Sequence, residues 1–263
     1  MEVFMTATQA QIDGGKLGRE EGFAFEDEFA KHIGGFDVPE NVDSIFGDTT
    51  RSKTDVLGPN GERFSVKNSE KSTQISVCSL DRLLLKIFAP PSVRAKLEMF
   101  FGAWDSSIKH FKDQRIFLNE CKRRGINTKN LSQKDEIRRN RFKATSIGDF
   151  QEVIDWFHEN RAAITRFIFQ EGFIAPHETQ AFADKVAWVE KKNSIDGIKV
   201  YEVDDIVNQT VAHAKTTLGS KAATTIRCGA WTVQMKGSGK VGSAYHNVQF
   251  NCKRSDLKKH LKL

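Results

Sequence analysis

Asp55, Ser65 and Lys67 have the residue types and the spacing that hydrolysis of a phosphodiester bond requires. A carboxylate and a nearby backbone carbonyl are hard oxygen ligands suited to Mg²⁺, which polarises a phosphoryl group. A lysine beside them can orient the attacking water or stabilise developing charge. These residues favour metal-dependent DNA cleavage as the leading hypothesis. The alternative from the same residues is an ordinary surface hairpin.

A predicted β-hairpin would bring these side chains together. One β-type run ends around residues 55–57, residues 58–61 read Gly-Pro-Asn-Gly, and residues 63–67 alternate polar and apolar side chains. A dense turn signal between two such runs is typical of paired strands. Because side chains alternate along a strand, Ser65 and Lys67 are expected on one face of the second strand.

An acidic side chain from a preceding helix is a further candidate for this centre. Apolar residues at four-residue spacing predict an amphipathic helix over residues 18–33, which ends at a pair of glycines. Glu26 lies next to the apolar stripe and could reach inward toward the hairpin, and Glu21 is a second candidate. The alternative is that every acid of this helix is solvated.

Two polar segments have the side chains that contact DNA. A donor-rich loop follows Lys67, and residues 231–236 and 245–250 predict a C-terminal β-hairpin with amides along one face. Amides and amines on such a ribbon suit base edges, and a lysine in its glycine-rich tip suits phosphate. The residues predicted to contact DNA are Lys71, Gln74, Gln234, Lys236, Lys240, Asn247 and Gln249.

The charge balance also favours an acidic partner. The chain has 40 Lys plus Arg against 34 Asp plus Glu, a formal charge of +6. Basic clusters at residues 122–124, 138–143 and 253–259 could contact phosphates. Each of them could equally be a solvated surface.

The organisation of the chain indicates one α/β domain over residues 1–263. We expect a catalytic core over about residues 15–90, a helical middle over about 91–185 and a C-terminal strand and hairpin region over about 186–263. The four cysteines are far apart, which argues against a zinc knuckle or a disulfide framework. No apolar run approaches the length of a membrane span and no signal peptide is evident, so a cytoplasmic protein is expected.

In order along the chain, the sequence resembles type II restriction endonucleases of the PD-(D/E)xK nuclease superfamily, within them the subgroup that cuts four-base sites such as GCGC and CCGG. The resemblance spans nearly the whole chain and is looser in the middle. The segments that carry it are residues 22–26 (Gly-Phe-x-x-Glu), 53–55 (Lys-Thr-Asp), 65–69 (Ser-Val-Lys-Asn-Ser), 155–161, 232–237 and 248–250.

The resemblance implies a mixed central β-sheet flanked by helices and a Mg²⁺-dependent cleavage of double-stranded DNA that leaves 5′-phosphate ends. By position, Asp55 and the Val66 carbonyl would be metal ligands, Lys67 the catalytic lysine and Glu26 an additional acid. Gln74 and Gln249 fall where the subgroup contacts bases. Ser65 stands where the wider superfamily has Glu or Asp, which leaves open whether the centre holds one metal ion or two.

Several alternatives remain at this point. The fold would also suit a phage homing or repair endonuclease with a longer or asymmetric site, and Ser65 would suit a non-catalytic DNA-binding protein with a degenerate centre. The family further implies a cognate DNA methyltransferase in the host as a partner. Whether the chain acts as a monomer or a homodimer, and which bases it recognises, stays open.

Overall fold

The structure is a computed structural model that describes residues 9–110, 151–218, 225–235 and 247–262. The basic clusters at residues 122–124 and 138–143 lie outside these ranges, as do Lys236 and Lys240. Among the described helices, none combines the length and apolar character that crossing a membrane requires.

Helices form where the apolar spacing predicted them. Apolar residues at helical spacing between residues 149 and 169 predict helix with a break at Asn160. The structure confirms this break, and a π-helical turn, Phe167–Glu171, follows the second of the two helices. Within the described ranges the helices are α1 (Gln9–Ile33), α2 (Leu80–Lys86), α3 (Pro91–His110), α4 (Gln151–Glu159), α5 (Arg161–Arg166), α6 (Val203–His213) and α7 (Arg254–His260).

Helix α1 presents its apolar stripe to the first sheet. Phe25 and Phe29 are both buried, and the helix ends where Gly34 adopts a φ of +69° and the Gly35 N–H donates to the Ala30 carbonyl at 2.8 Å. Glycine reaches this left-handed conformation without a Cβ clash. The helix begins at residue 9 rather than 18, because helical backbone hydrogen bonds do not require apolar spacing.

In the part of the chain that the structure describes, the strands form two five-stranded sheets and one separate pair. In the first sheet, ordered β1-β4-β5-β7-β8, β5 and β7 run parallel and the other neighbours antiparallel. The second, ordered β6-β12-β11-β10-β9, is antiparallel throughout. The strands are β1 (Phe36–Asp37), β2 (Asn41–Asp43), β3 (Thr49–Arg51), β4 (Val56–Leu57), β5 (Arg63–Lys67), β6 (Ser72–Ser79), β7 (Lys185–Trp188), β8 (Lys199–Glu202), β9 (Thr216–Leu218), β10 (Thr225–Cys228), β11 (Trp231–Met235) and β12 (Asn247–Lys253).

The first sheet is mixed, as the resemblance implied, and β6 belongs to the second sheet. Strand β5 lies between β4 and β7, and a strand has only two hydrogen-bonding edges, so β6 cannot pair with β5. It pairs with β12 instead. The Trp188 indole N–H donates to the Ser69 carbonyl at 2.5 Å and holds the loop that crosses between the sheets.

The second sheet buries one face and leaves the other polar. On the buried face, Trp231 packs against Phe157 at a ring distance of 6.3 Å, and Phe250 packs against Phe167 at 6.2 Å. The Trp231 indole N–H donates to the Thr165 hydroxyl at 2.9 Å. Because side chains alternate along a strand, the residues between these aromatics must project to the opposite face.

Candidate active site

A cavity of about 440 Å³ lies between the two sheets. On one side its lining includes Asp55, Ser65 and Lys67, and on the other side residues 74–77 of β6. We call this cavity the cleft. The pairing of β4 with β5, which the turn signal predicted, brings Asp55 beside Ser65 and Lys67.

Local packing fixes the orientation of β5. Phe64 packs edge-on against Phe29 of α1 at a ring distance of 5.4 Å, and Val66 is also buried. The strand therefore turns Ser65 and Lys67 to the other side, where their side chains meet: the Lys67 Nζ donates to the Ser65 hydroxyl at 2.7 Å. The alternation predicted from the sequence is confirmed.

Three oxygen atoms converge on the Lys67 ammonium. Its Nζ lies 2.7 Å from Ser65 Oγ, 3.0 Å from the Val66 carbonyl oxygen and 3.4 Å from Asp55 Oδ2. The same Asp55 oxygen accepts hydrogen bonds from the Val66 N–H at 2.6 Å and from the Ser65 hydroxyl at 3.1 Å. All of these groups are at least partly shielded from solvent, which strengthens their electrostatic interactions.

The donor set fits a small divalent cation. A carboxylate, a backbone carbonyl and a hydroxyl are oxygen ligands of the kind Mg²⁺ takes, with water or phosphate oxygens completing its octahedron. Asp55, Val66 and Ser65 supply such atoms, and all three already contact one positive charge. An Mg²⁺ ion held by these oxygens would compete with the Lys67 ammonium for them.

Glu26 is a helix acid that lies near Asp55. The two residues line a second cavity of about 390 Å³, together with Asp27, Asp37 and Glu40. Burial, followed by the negative charge of Asp55, raises the pKa of Glu26 from 4.5 to about 7, and Lys67 acts in the opposite direction.

The other helix candidate lies elsewhere. Glu21 forms an ion pair with Lys192 in place of contacting the hairpin. The geometry thus favours Glu26 over Glu21 as the additional acid, and its role stays a prediction.

Replacing Glu26 with Gln is expected to stabilise the metal-free protein at pH 8 and to have little effect at pH 4.5. The folded protein binds a proton at Glu26 more tightly than the unfolded chain, so this contribution to stability is fully present below pH 4.5 and is lost as the pH rises through 7. A pKa difference of this size corresponds to roughly 3 kcal/mol at most. Because the side chain is partly exposed, solvent screening reduces the expected gain to about 1–2 kcal/mol.

Urea unfolding of the wild-type protein and Glu26→Gln at both pH values, without divalent cations, measures this difference. Glu28→Gln, an exposed change on the same helix, is the control. An equal stability difference between wild type and Glu26→Gln at both pH values would contradict the prediction.

Amide side chains meet on the polar face of the second sheet. Gln234 of β11 pairs directly with Gln249 of β12, and Asn251 pairs with Gln74 of β6. The Gln249 side-chain amide donates to Asn251 Oδ1 at 2.8 Å. We call Gln74, Gln234, Gln249 and Asn251 the amide face. Asn247 lies on the same side of β12, two residues before Gln249.

The sequence reasoning missed Asn251, although its position was foreseeable. It continues the period-two series of polar residues in β12, whose alternate members are buried. The pairing of β12 with β6 was not foreseeable in the same way, and this pairing places Gln74 in both the cleft and the amide face.

Lys71 lies apart from the cleft. It lines a basic groove of about 530 Å³ with Lys253, Arg254, Lys258 and Glu70. Its backbone carbonyl accepts a hydrogen bond from the Arg254 N–H at 2.9 Å. The structure thus brings Lys71 together with the basic residues near the C-terminus rather than with Asp55, and its contact with DNA stays a prediction.

Lys53 is a cleft residue for which the sequence analysis predicted no role of its own. Its Nζ donates to the Ile168 carbonyl at 2.9 Å and lies 3.4 Å from the Ile75 carbonyl. Burial, followed by the positive charge of Lys67, lowers the pKa of Lys53 from 10.5 to about 8, and Asp55 opposes this change. Nothing in the local sequence signals this environment, because both carbonyls come from distant segments.

A separate group of potential ligands near the surface includes His177. Its Nε2 lies 3.3 Å from Asp43 Oδ2, and Glu178 is close enough that the three ligand atoms lie within 4.8 Å of one another. Exposed side chains of this kind often meet without an ion. Nothing else in the described ranges points to a ligand there.

Comparisons with known proteins find a similarity among solved structures. No protein-family model matches the chain, and a search of curated proteins finds no match. Among solved structures, the chain is similar to the crystal structure of restriction endonuclease MspI in complex with its cognate DNA. The TM-score is 0.38, with 13% sequence identity, 80% of this chain covered and 69% of that chain covered. This level of identity assigns no role to any residue.

Proposed function

We propose that this chain is a Mg²⁺-dependent DNA endonuclease of the type II restriction kind. It hydrolyses double-stranded DNA at a short palindromic four-base site and leaves 5′-phosphate ends. The observation that supports the proposal most directly is the convergence of oxygens from Asp55, Ser65 and Val66 on the Lys67 ammonium in one cleft.

The residues of the cleft divide the chemistry between them. Asp55 and the Val66 carbonyl would hold the cation, and Mg²⁺ bound there would supply the charge that polarises the phosphoryl group. The Ser65 hydroxyl contacts both Asp55 and Lys67 and holds the two side chains in a fixed relative position. Lys67, released from these oxygens, donates to the phosphate and stabilises the charge that develops on it.

The amide face supports double-stranded DNA as the substrate. Gln74 lies in the cleft and on the amide face, so a duplex that places a phosphate near Lys67 also places base edges near a row of amides. Gln and Asn side chains can form paired hydrogen bonds with adenine, and such contacts specify sequence. The net charge of +6 favours the same polyanionic partner.

Ser65 supports a second candidate, a DNA-binding protein that does not cut. A serine carries no charge where a second carboxylate would strengthen metal binding, so the centre has a single acid on the hairpin. A homing or repair endonuclease of the same fold is the alternative among enzymes.

Incubation of plasmid and phage DNA with the purified protein in Mg²⁺ and in EDTA tests the proposal, with the cut ends sequenced. The expected result is a set of discrete, Mg²⁺-dependent fragments whose 5′-phosphate ends share a four-base palindrome. Longer or asymmetric sites would favour the homing or repair enzyme. Bound but intact DNA in Mg²⁺ would overturn the endonuclease proposal in favour of the binding protein.

A further inference from the structure

Strand β6 contains a bulge where it borders the cleft. Ser76 pairs with Phe250 and Gln74 with Asn251, which leaves Ile75 without a partner in β12. A bulge of this kind disrupts the ladder locally and changes the direction of neighbouring side chains. The side chain next to it is Gln74, which belongs to the amide face.

The opposite wall of the cleft also has irregular backbone. The π-helical turn, Phe167–Glu171, ends at Gly172, whose N–H donates to the Phe167 carbonyl at 2.8 Å and whose φ is +55°. A Cβ added at Gly172 would lie 3.0 Å from Lys53 Cε. Glycine therefore permits both this backbone conformation and the close approach of Lys53.

The Lys53 side chain connects these two irregular segments. Its ammonium contacts the carbonyl of the bulged residue, Ile75, and the carbonyl of Ile168 in the π-helical turn. One ammonium thus supplies a hydrogen-bond donor to both carbonyls. Both contacts join segments far from Lys53 in sequence.

The backbone around Lys53 is fixed on the side of Asp55. The Lys53 N–H and the Thr54 N–H both donate to the Ala181 carbonyl, at 2.9 and 3.0 Å, and the Thr54 hydroxyl donates to the Phe182 carbonyl at 2.6 Å. The Asp55 N–H donates to the Phe64 carbonyl at 2.8 Å. Four hydrogen bonds therefore restrain this short segment, so the Lys53 and Asp55 side chains extend from one fixed piece of backbone.

The free-energy cost of burying the Lys53 ammonium supports a role for Lys53 in positioning. Within the part of the chain that the structure describes, Lys53 has no carboxylate in ion-pair contact, whereas Lys67 contacts Asp55. A largely buried ammonium without an ionic partner is costly compared with an apolar side chain of the same length. Unlike a methionine side chain, the ammonium donates hydrogen bonds that link the two walls of the cleft.

We propose that Lys53 is a positioning residue that couples base recognition at β6 to hydrolysis at Asp55. The inference rests on the proposed endonuclease function. When the correct base engages Gln74, the bulge at Ile75 adopts the position in which its carbonyl and that of Ile168 hold Lys53, and Asp55 is held in its catalytic position. An incorrect base leaves this chain of contacts misaligned.

Lys53→Met tests the coupling, with single-turnover cleavage of the cognate duplex and of duplexes that differ by one base pair. The ratio of the cognate rate to the one-base-changed rate is expected to fall by about 2- to 30-fold. Affinity for the cognate duplex without metal is expected to stay close to that of the wild type. Lys53→Gln keeps a hydrogen-bond donor group and should give an intermediate ratio of rates. It replaces Lys53→Met as the test variant if Lys53→Met does not fold.

Thr165→Val controls for a general loss of stability. Thr165 is buried and accepts the Trp231 indole hydrogen bond away from the cleft, so this variant should melt at a lower temperature with the wild-type ratio. A wild-type ratio in both Lys53 variants would overturn the coupling while leaving the endonuclease proposal intact. Wild-type protein that cuts no DNA would overturn the endonuclease proposal, and the coupling with it.

Discussion

Replacing Asp55 with Asn is expected to reduce Mg²⁺-dependent cleavage by about a thousandfold. The change keeps the shape of the side chain and removes its negative charge. Of the three oxygen donors, from Asp55, Ser65 and Val66, the Asp55 carboxylate is the one that carries a charge. A metal ion contributes several kcal/mol to stabilising charge in the transition state. A loss of about 4 kcal/mol corresponds to a rate lower by a factor of about a thousand.

Single-turnover cleavage and calorimetric titration with Mg²⁺ measure this effect together. Asp55→Asn should show a large loss of Mg²⁺ affinity along with the loss of rate. Asp205→Asn, an exposed change outside the residues that line the cleft, should match the wild type in both. Full Mg²⁺ affinity in Asp55→Asn would show that the cation is held elsewhere.

Replacing Lys67 with Ala is expected to reduce cleavage by about 10²- to 10³-fold while leaving Mg²⁺ affinity unchanged or increased. The rate falls because a positioned donor to the developing phosphate charge is lost. Metal affinity does not fall, because the ammonium contacts the same oxygens of Asp55, Ser65 and Val66 that the cation would use. Removing it frees these oxygens from a competing positive charge.

The two variants therefore differ in metal binding although both lose activity. Lys67→Ala should still shift DNA in a gel, and Lys199→Ala, an exposed lysine of β8, should cut at the wild-type rate. If Lys67→Ala cuts normally, Lys67 is not the catalytic lysine. If it loses both cleavage and Mg²⁺ affinity, its role is to hold the carboxylate in place rather than to contact phosphate.

The local part of the cleft followed from the sequence because it depends on neighbours along the chain. The turn at residues 58–61 joins β4 to β5, and alternation in β5 places Ser65 and Lys67 on one face. The same alternation predicted the polar face of β12. Apolar spacing predicted the helix with Glu26 and the break at Asn160, although not the first residue of α1.

Contacts between distant segments could not be predicted in this way. The choice between Glu26 and Glu21 depended on how α1 lies against the first sheet, and the amide face depended on which strand pairs with β12. The environment of Lys53 comes from carbonyls at positions 75 and 168. No periodicity in the sequence specifies such a partner, because the energy of the contact depends on packing in three dimensions.

The sequence by itself determined the chemistry available to this protein, namely one carboxylate, one hydroxyl and one lysine brought together by a short hairpin. The tertiary structure alone decided that β6 leaves the first sheet, because both edges of β5 are already occupied by β4 and β7. The pairing of β6 with β12 puts Gln74 at one wall of the cleft, where the carbonyl of the neighbouring Ile75 contacts Lys53. The spacing of residues along the chain determines which side chains meet in the hairpin. The pairing of distant strands determines which residues lie opposite them across the cleft.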